Sequence, residues 1–276
     1  MKKVISILLA AMLLLSLLTA CGASSSADRL EQIKQRGYIE VCTEPYFAPN
    51  EFIDPSLPED ERIVGLDIEV AKVIAEKIGV ELKIVPLEFS AVLTGIADGK
   101  YDLAISALAY SPARAESMNL SNVYQASDDG YGFIVRSEDV DKYTSIESLK
   151  DAVVITQSGS VQESLHNLNV KECKEFKRVS SMTDGYLAVS EGKADVCICS
   201  IGSADLYAEA NGGLATTSFR FEIDPNMNGT VVAATKNGTD SLIKVVNEVI
   251  AELNTTNQVQ EWDDYYTNYA KSLGIE

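Results

Sequence analysis

The chain has 276 residues, 46% of them hydrophobic, with 41 acidic side chains against 23 basic and a net charge of −18. Such a surface is repelled by nucleic acid and by anionic lipid heads, which excludes a nucleic-acid binder and a charge-held membrane protein. The length suits one large or two small α/β domains with cores of their own.

Lys2 and Lys3 precede an apolar run, Val4 to Leu18, that is too short and wrongly flanked to span a bilayer. The run ends in Leu18-Thr19-Ala20-Cys21, which resembles a bacterial lipobox. Residues 1–20 then form a lipoprotein signal peptide, and Cys21 carries the lipid as the mature N-terminus. An ordinary signal peptide with a chance cysteine is the alternative. Without Lys2 and Lys3 the mature balance is 21 basic against 41 acidic residues. Gly22 to Ala27 is a flexible tether, so residues 21–36 comprise the tether and a first short helix, Arg29 to Gln35, capped by Gly37.

Tyr38 to Thr43 reads as a strand. Glu44 to Phe52 (EPYFAPNEF) is a loop because two prolines block regular structure. Its aromatics suit a ligand wall and equally suit a loop pinned to the core. Ile53 to Ile63 is an exposed acidic excursion, Ile68 to Ile78 an amphipathic helix stopped at Gly79, and Glu81 to Pro86 a strand. In FSAVLTGIADGKYDLAISALAYSPAR, from Phe89 to Arg114, a helix ends at Asp98-Gly99-Lys100 and a strand buried on both faces follows from Tyr101 to Leu108. Arg114 lies past that strand's carboxyl end, where open α/β sheets bind ligands. It can hold a carboxylate with two parallel hydrogen bonds, or it is a solvated helix arginine.

Gly130 to Arg136 is a strand, Ser145 to Leu149 a short helix, and Val153 to Thr156 a buried strand. Gln157-Ser158-Gly159-Ser160 opens the helix Val161 to Leu168. Its free N–H groups suit an anion, or Ser160 simply caps the helix. Thr183 to Glu191 and Ser203 to Ala210 are helices around the strand Ala194 to Cys199. Thr230 to Thr235 is a strand, and Leu242 to Leu253 is a helix opened by Asp240 or Ser241. Trp262, Tyr265, Tyr266 and Tyr269 are packing anchors of the C-terminus. Cys42, Cys173, Cys197 and Cys199 lack zinc-site spacing, so no metal is expected. Cys197 and Cys199 face the same way in one strand, and one disulfide elsewhere is left open. His166, the sole histidine, is expected in solvent, so Ser-His-Asp and Cys-His chemistry have no support.

The helix-GKYDLAIS unit after Phe89 is echoed by helix-GKADVCICS after Gly185. With GLDIEVAKVIAEKIG and SPARAESMNLSNVY, these segments resemble bacterial extracellular solute-binding proteins of family 3, which feed polar amino acids to ABC importers. The resemblance runs from about Arg29 to the C-terminus. It implies a two-lobed periplasmic-binding-protein-like (type II) α/β clamshell, each lobe a doubly wound sheet, joined by two hinge strands. Lobe 1 would take residues 37–126 plus 228–276, and lobe 2 residues 127–227.

By the same resemblance, Arg114 holds the ligand α-carboxylate and Ser160 and Val161 donate N–H groups to it. Phe47 and Phe89 cover the ligand, Glu44 and Gln157 read its side chain or amine, and Ala107 offers backbone groups. Two positions depart from the pattern. Ala109 stands where the family usually has Ser or Thr, and Ser200 where it usually has the Asp that pairs with the ligand ammonium. The implied protein is no enzyme and uses no cofactor. It is a monomer that captures an amino acid or related carboxylate outside the cytoplasmic membrane, held there by lipid, and delivers it to a membrane ABC permease. The alternatives are a periplasmic dehydratase of the cyclohexadienyl dehydratase type, with Glu44 as acid, and a ligand-sensing receptor component.

Overall fold

The structure, a computed structural model, describes residues 28–126, 130–224, 227 and 229–274. The leader, Cys21 and the Gly22–Ala27 tether lie outside them. Helix α1 (Arg29–Arg36) is capped by Asp28, whose side chain accepts the Leu30 N–H, and stopped by Gly37 in the left-handed conformation. Strand β1 (Tyr38–Thr43) leads into a small antiparallel sheet of three short strands, β2 (Tyr46–Phe47), β3 (Glu51–Ile53) and β4 (Ile63–Val64). The stretch that the prolines mark as a loop therefore folds back on itself as a ribbon.

Helix α2 (Leu66–Ile78) buries Leu66, Val70 and Ile74 beside Ile68, Ala71 and Ala75, one stripe at i, i+4 spacing. It ends at Gly79, whose N–H reaches the Ala75 carbonyl at 2.9 Å. Strand β5 (Glu81–Pro86) pairs parallel with β1, and helix α3 (Phe89–Ala97) crosses to β6 (Leu103–Ala104). The strand expected over Tyr101 to Leu108 is thus only two residues long. Ala107 adopts a φ of 44° and gives its N–H to Asp67 Oδ2 at 2.7 Å, which turns the backbone off the ladder. Helix α4 (Pro112–Ser117) and strand β7 (Met118–Ala126) follow.

The chain then enters a second sheet. Its elements are β8 (Tyr131–Arg136), β9 (Val153–Gln157), α5 (Val161–Asn169), β10 (Glu175–Val179), α6 (Met182–Ser190), β11 (Val196–Ser200), α7 (Ile201–Asn211) and β12 (Leu214–Arg220). It returns through β13 (Gly229–Thr235) and ends in α8 (Asp240–Asn254) and α9 (Gln258–Leu273). The sheet orders are β5-β1-β6-β13-β7 and β10-β9-β11-β8-β12. Each holds three parallel strands, and β13 with β7, and β8 with β12, run antiparallel beside them. The result is a two-lobed clamshell whose chain crosses between the lobes twice. β13 completes the first sheet, and α8 and α9 cover that lobe.

Three readings of the sequence change. His166 is 7% exposed and stacks on Phe176 with ring centroids 3.5 Å apart, because edge strand β10 lies over α5. Burial lowers its pKa. Tyr265 is 59% exposed, while Tyr266 is buried and Trp262 and Tyr269 pack against the core beneath. All four described cysteines are free, so the disulfide left open does not form among them. Cys197 and Cys199 do share one buried face.

Gly65 fixes the ribbon onto α2. Its φ is 135°, and a Cβ there would meet the Asn50 carbonyl oxygen at 2.1 Å. Gly65→Ala is expected to lose about 3 kcal/mol or more of stability, from backbone strain and a clash with main chain that cannot swing aside. Urea unfolding checks this; a change under about 0.5 kcal/mol would mean that the ribbon yields freely.

Candidate functional site

A cleft of about 540 Å³ separates the two lobes. All ten positions singled out in the sequence line it: Glu44, Phe47, Phe89, Ala107, Ala109 and Arg114 from one side, Gln157, Ser160, Val161 and Ser200 from the other. Cys21 lies outside the described residues.

Ser111 caps α4 by accepting the Arg114 N–H at 3.2 Å, and Pro112 presets the first turn. This turn carries the Arg114 side chain into the cleft, where it is 8% exposed. It is not a solvated helix arginine. Nη1 donates to the Ala109 carbonyl at 2.6 Å and Nη2 to the Gly159 carbonyl of the opposite lobe at 3.3 Å. Its guanidinium carbon lies 5.7 Å from the Phe89 ring centre. Burial lowers the Arg114 pKa to about 10, against which the nearby Tyr131 phenol acts in the other direction. Among the described residues no carboxylate pairs with it, so the charge is suited to an anion from outside.

Across the cleft, Ser160 caps α5: its Oγ accepts the Glu163 N–H at 3.1 Å and donates to the Gln157 carbonyl at 2.7 Å. Glu163 reaches back to the Gly159 N–H at 2.6 Å. Capping leaves room for an anion here, because the Val161 and Gln162 N–H groups have no partner inside the helix and both residues line the cleft. Ala107 differs from the expectation on one point, since its N–H is already held by Asp67. Ala109 packs against the second lobe's core and its carbonyl orients Arg114. Ser200 precedes α7 without using its hydroxyl as a cap.

Glu44 is 2% exposed on the cleft wall, and its Oε1 is without a partner. Burial pushes its pKa up to about 8; Gln157 hydrogen-bonds to it and pulls the other way, while Asp184 and Glu88 add repulsion. Glu51, 1% exposed, also lines the cleft, with Oε2 unpartnered and its pKa driven well up by burial and by Asp67. Ser106 joins the two, accepting the Glu44 N–H at 2.9 Å and donating to Glu51 Oε1 at 3.1 Å. Reading the sequence missed Glu51, Ser106, Tyr131 and the α9 residues Asp263 and Lys271, all on the cleft wall. Glu51 stands in the same proline-bounded loop as Glu44, which was a usable signal. The Lys271–Glu209 pair, at 2.6 Å between α9 and α7, had none, because its halves are 62 positions apart and on different lobes. That pair, the Arg114–Gly159 bond and a Thr183–Tyr46 carbonyl bond of 3.4 Å bring the lobes together.

No His, Cys, Asp and Glu grouping fit for a metal ion occurs among the described residues, and no helix among them is long and apolar enough to cross a membrane. A clamshell whose cleft is lined by a buried unpaired cation and by buried carboxyls each with one oxygen lacking a donor has the form of a binding protein for small polar solutes. The chain belongs to the bacterial extracellular solute-binding proteins, family 3, whose profile matches residues 39–269. It is 31% identical to the arginine-binding extracellular protein ArtP of Bacillus subtilis (strain 168) over 163 residues, which covers 59% of this chain and 58% of that relative. A Streptococcus pneumoniae Canada MDR_19A amino acid ABC transporter substrate-binding protein, solved bound to L-arginine, superimposes with a TM-score of 0.79. It is 31% identical, and the match covers 87% of this chain and 98% of that one. A cyclohexadienyl dehydratase of Pseudomonas aeruginosa PAO1 is 24% identical, with 71% of each chain covered. Relatives of this chain thus include binding proteins and an enzyme.

Proposed function

We propose that this protein is an extracytoplasmic solute-binding protein for an amino acid with a cationic side chain, and that it hands its ligand to an ABC importer. It works as a monomer anchored to the membrane by lipid on Cys21. Lobes 37–126 plus 228–276 and 127–227 close on the ligand. Arg114, with the Val161 N–H and the Ser160 turn, holds the α-carboxylate. Phe47 and Phe89 cover the ligand, Gln157 and the Ala107 backbone orient it, and Glu44 takes its cationic end. Ala109 and Ser200 offer no charge to an α-ammonium. The observation that carries this reading is that one cleft holds a buried Arg114 without an anion and a buried Glu44 carboxyl oxygen without a donor. Burying either alone is costly, and a ligand carrying both opposite charges satisfies both.

The test is a thermal-shift screen of residues 22–276, refolded to strip carried-over ligand, against L- and D-amino acids, cystine, polyamines and small carboxylates. Ligand at ~100 times its dissociation constant adds ~2.7 kcal/mol of stability. A shift with arginine, lysine or ornithine supports the reading, whereas shifts confined to acidic or apolar amino acids refute it.

Ser200→Asp is expected to tighten binding of ordinary L-amino acids by about tenfold or more, since a hydrogen bond to a charged group contributes about 1.5–3 kcal/mol. Calorimetry on both proteins checks this; unchanged affinity would mean that the ammonium is held elsewhere. A dehydratase reading rests on one observation, the Glu44 pKa of about 8, which keeps an acid protonated at neutral pH. Turnover of prephenate or arogenate would establish it. A receptor role would use the same closure.

A further inference from the structure

The carboxylates at the ligand's cationic end are unusual in what surrounds them. Glu44 follows β1, Glu51 lies on β3 and Asp67 on α2, so three elements of the first lobe converge there. Ser106 sets the two glutamates side by side: its hydroxyl accepts the Glu44 backbone N–H at 2.9 Å and donates to Glu51 Oε1 at 3.1 Å. Asp67 is saturated: Oδ1 accepts from Asn50 at 3.0 Å and from the Tyr124 hydroxyl at 2.8 Å, and Oδ2 from the Ala107 N–H. Glu44 Oε1 and Glu51 Oε2, by contrast, are buried without a hydrogen-bond donor, Glu51 lies against the Asp67 carboxylate, and both glutamates line the cleft.

The charged groups acting on this pair are negative from every side. Asp67 presses on Glu51 from α2, Glu88 on Glu44 from the start of α3, and Asp184 on Glu44 from α6 across the cleft. Tyr124 on β7 and Gln157 on β9 supply neutral hydrogen bonds. Arg114, the buried cation on the cleft wall, has its donors turned to the Ala109 and Gly159 carbonyls and is not among the groups acting on Glu44 or Glu51. Two ionised carboxylates cannot share such a pocket, so protons remain there while the cleft is empty. Both glutamates and Asp67 belong to one lobe, so the cluster persists when the lobes separate.

We propose that the Glu44–Ser106–Glu51 pair is a proton store, and that a cationic ligand binds by expelling one proton from it. The step balances simply. The carboxylic acid of Glu44 loses its proton to solvent, and the carboxylate left behind takes the ligand's guanidinium or ammonium, so the charge of the pocket is unchanged. Glu51 stays protonated and keeps the Ser106 bond. This inference rests on the reading of the ligand as cationic. It goes beyond that reading by making capture depend on pH. With burial in the closed cleft raising the Glu44 pKa to about 8, affinity for a cation falls as the pH drops below that value and levels off above it.

The experiment is isothermal titration of the full mature chain with L-arginine at pH 7 in two buffers of different ionisation enthalpy, with L-citrulline as the uncharged isostere. The expected release is about 0.9 proton per arginine, from the fraction of Glu44 protonated one unit below its pKa, and none with citrulline. Glu44→Gln should abolish the release from whatever arginine binding remains, with the melting temperature of the empty variant checking its fold. Arginine binding without proton release overturns the proton store and leaves the cationic-ligand reading intact. Release that persists in Glu44→Gln overturns Glu44 as its source. If citrulline or another neutral amino acid binds and arginine does not, the cationic reading falls, and this inference with it.

Discussion

Arg114→Ala weakens ligand binding by at least roughly 30-fold, which corresponds to about 2 kcal/mol or more. The guanidinium is buried, aimed by the Ala109 and Gly159 carbonyls, and paired with no carboxylate of the described chain. It therefore bears a desolvation cost that only a bound anion offsets. Removing it deletes a two-pronged hydrogen-bond donor and leaves the ligand carboxylate buried against two N–H groups alone. Arg114→Lys falls between, since a point charge replaces the planar fork. Calorimetry with the ligand found by the screen, beside the melting temperature of the empty variant, separates loss of binding from loss of fold. Near-normal affinity would take Arg114 out of the site.

Asp102→Ala produces the largest loss of stability, about 3–5 kcal/mol. Asp102 is fully buried at the end of the α3–β6 turn. Its carboxylate accepts the Glu40 N–H at 2.7 Å and is paired with Arg29 at 3.4 Å and with Arg36 more closely still. Arg29 also donates to the Gly99 carbonyl at 2.7 Å, so this knot ties α1 to the turn that launches β6, the strand leading to Arg114. Truncation takes the shared anion from two half-buried guanidinium groups, which keep only the Gly99 and Tyr38 carbonyls, and the acceptor from the Glu40 N–H. Domains have only about 5–15 kcal/mol of total stability, so the urea midpoint should drop sharply. Asp102→Asn, which keeps acceptors, should recover part of it. A loss below about 1 kcal/mol would show that the cluster behaves as a surface pair.

Much of this molecule was legible in its residues. The helix stops at Gly37, Gly79 and Gly99 are local, because glycine alone enters the left-handed region without penalty. The strands of the two lobes are short apolar runs bounded by turn residues, again a local property. Arg114 could be singled out because Ser111-Pro112 opens a helix just past a buried strand, and Ser160 because it stands between a glycine turn and an amphipathic helix. The acidic balance is composition, and needs no fold at all.

The rest depended on which distant elements meet. β6 ends after Ala104 because Asp67, on a helix far back in the chain, takes the Ala107 N–H. His166 is buried because Phe176 arrives from an edge strand. Glu51 is an acid among acids only once α2 and β1 close around it, and Lys271 faces Glu209 only when α9 and α7 sit on opposite rims. Local signals fix where an element starts and stops and which face is apolar. Burial, desolvation and charge pairing are sums over neighbours brought together by packing, and a pKa or an unmatched charge exists only in that sum. The sequence by itself thus determined the class of fold and singled out residues that line the cleft, whereas the tertiary structure alone decided which acids are buried beside them.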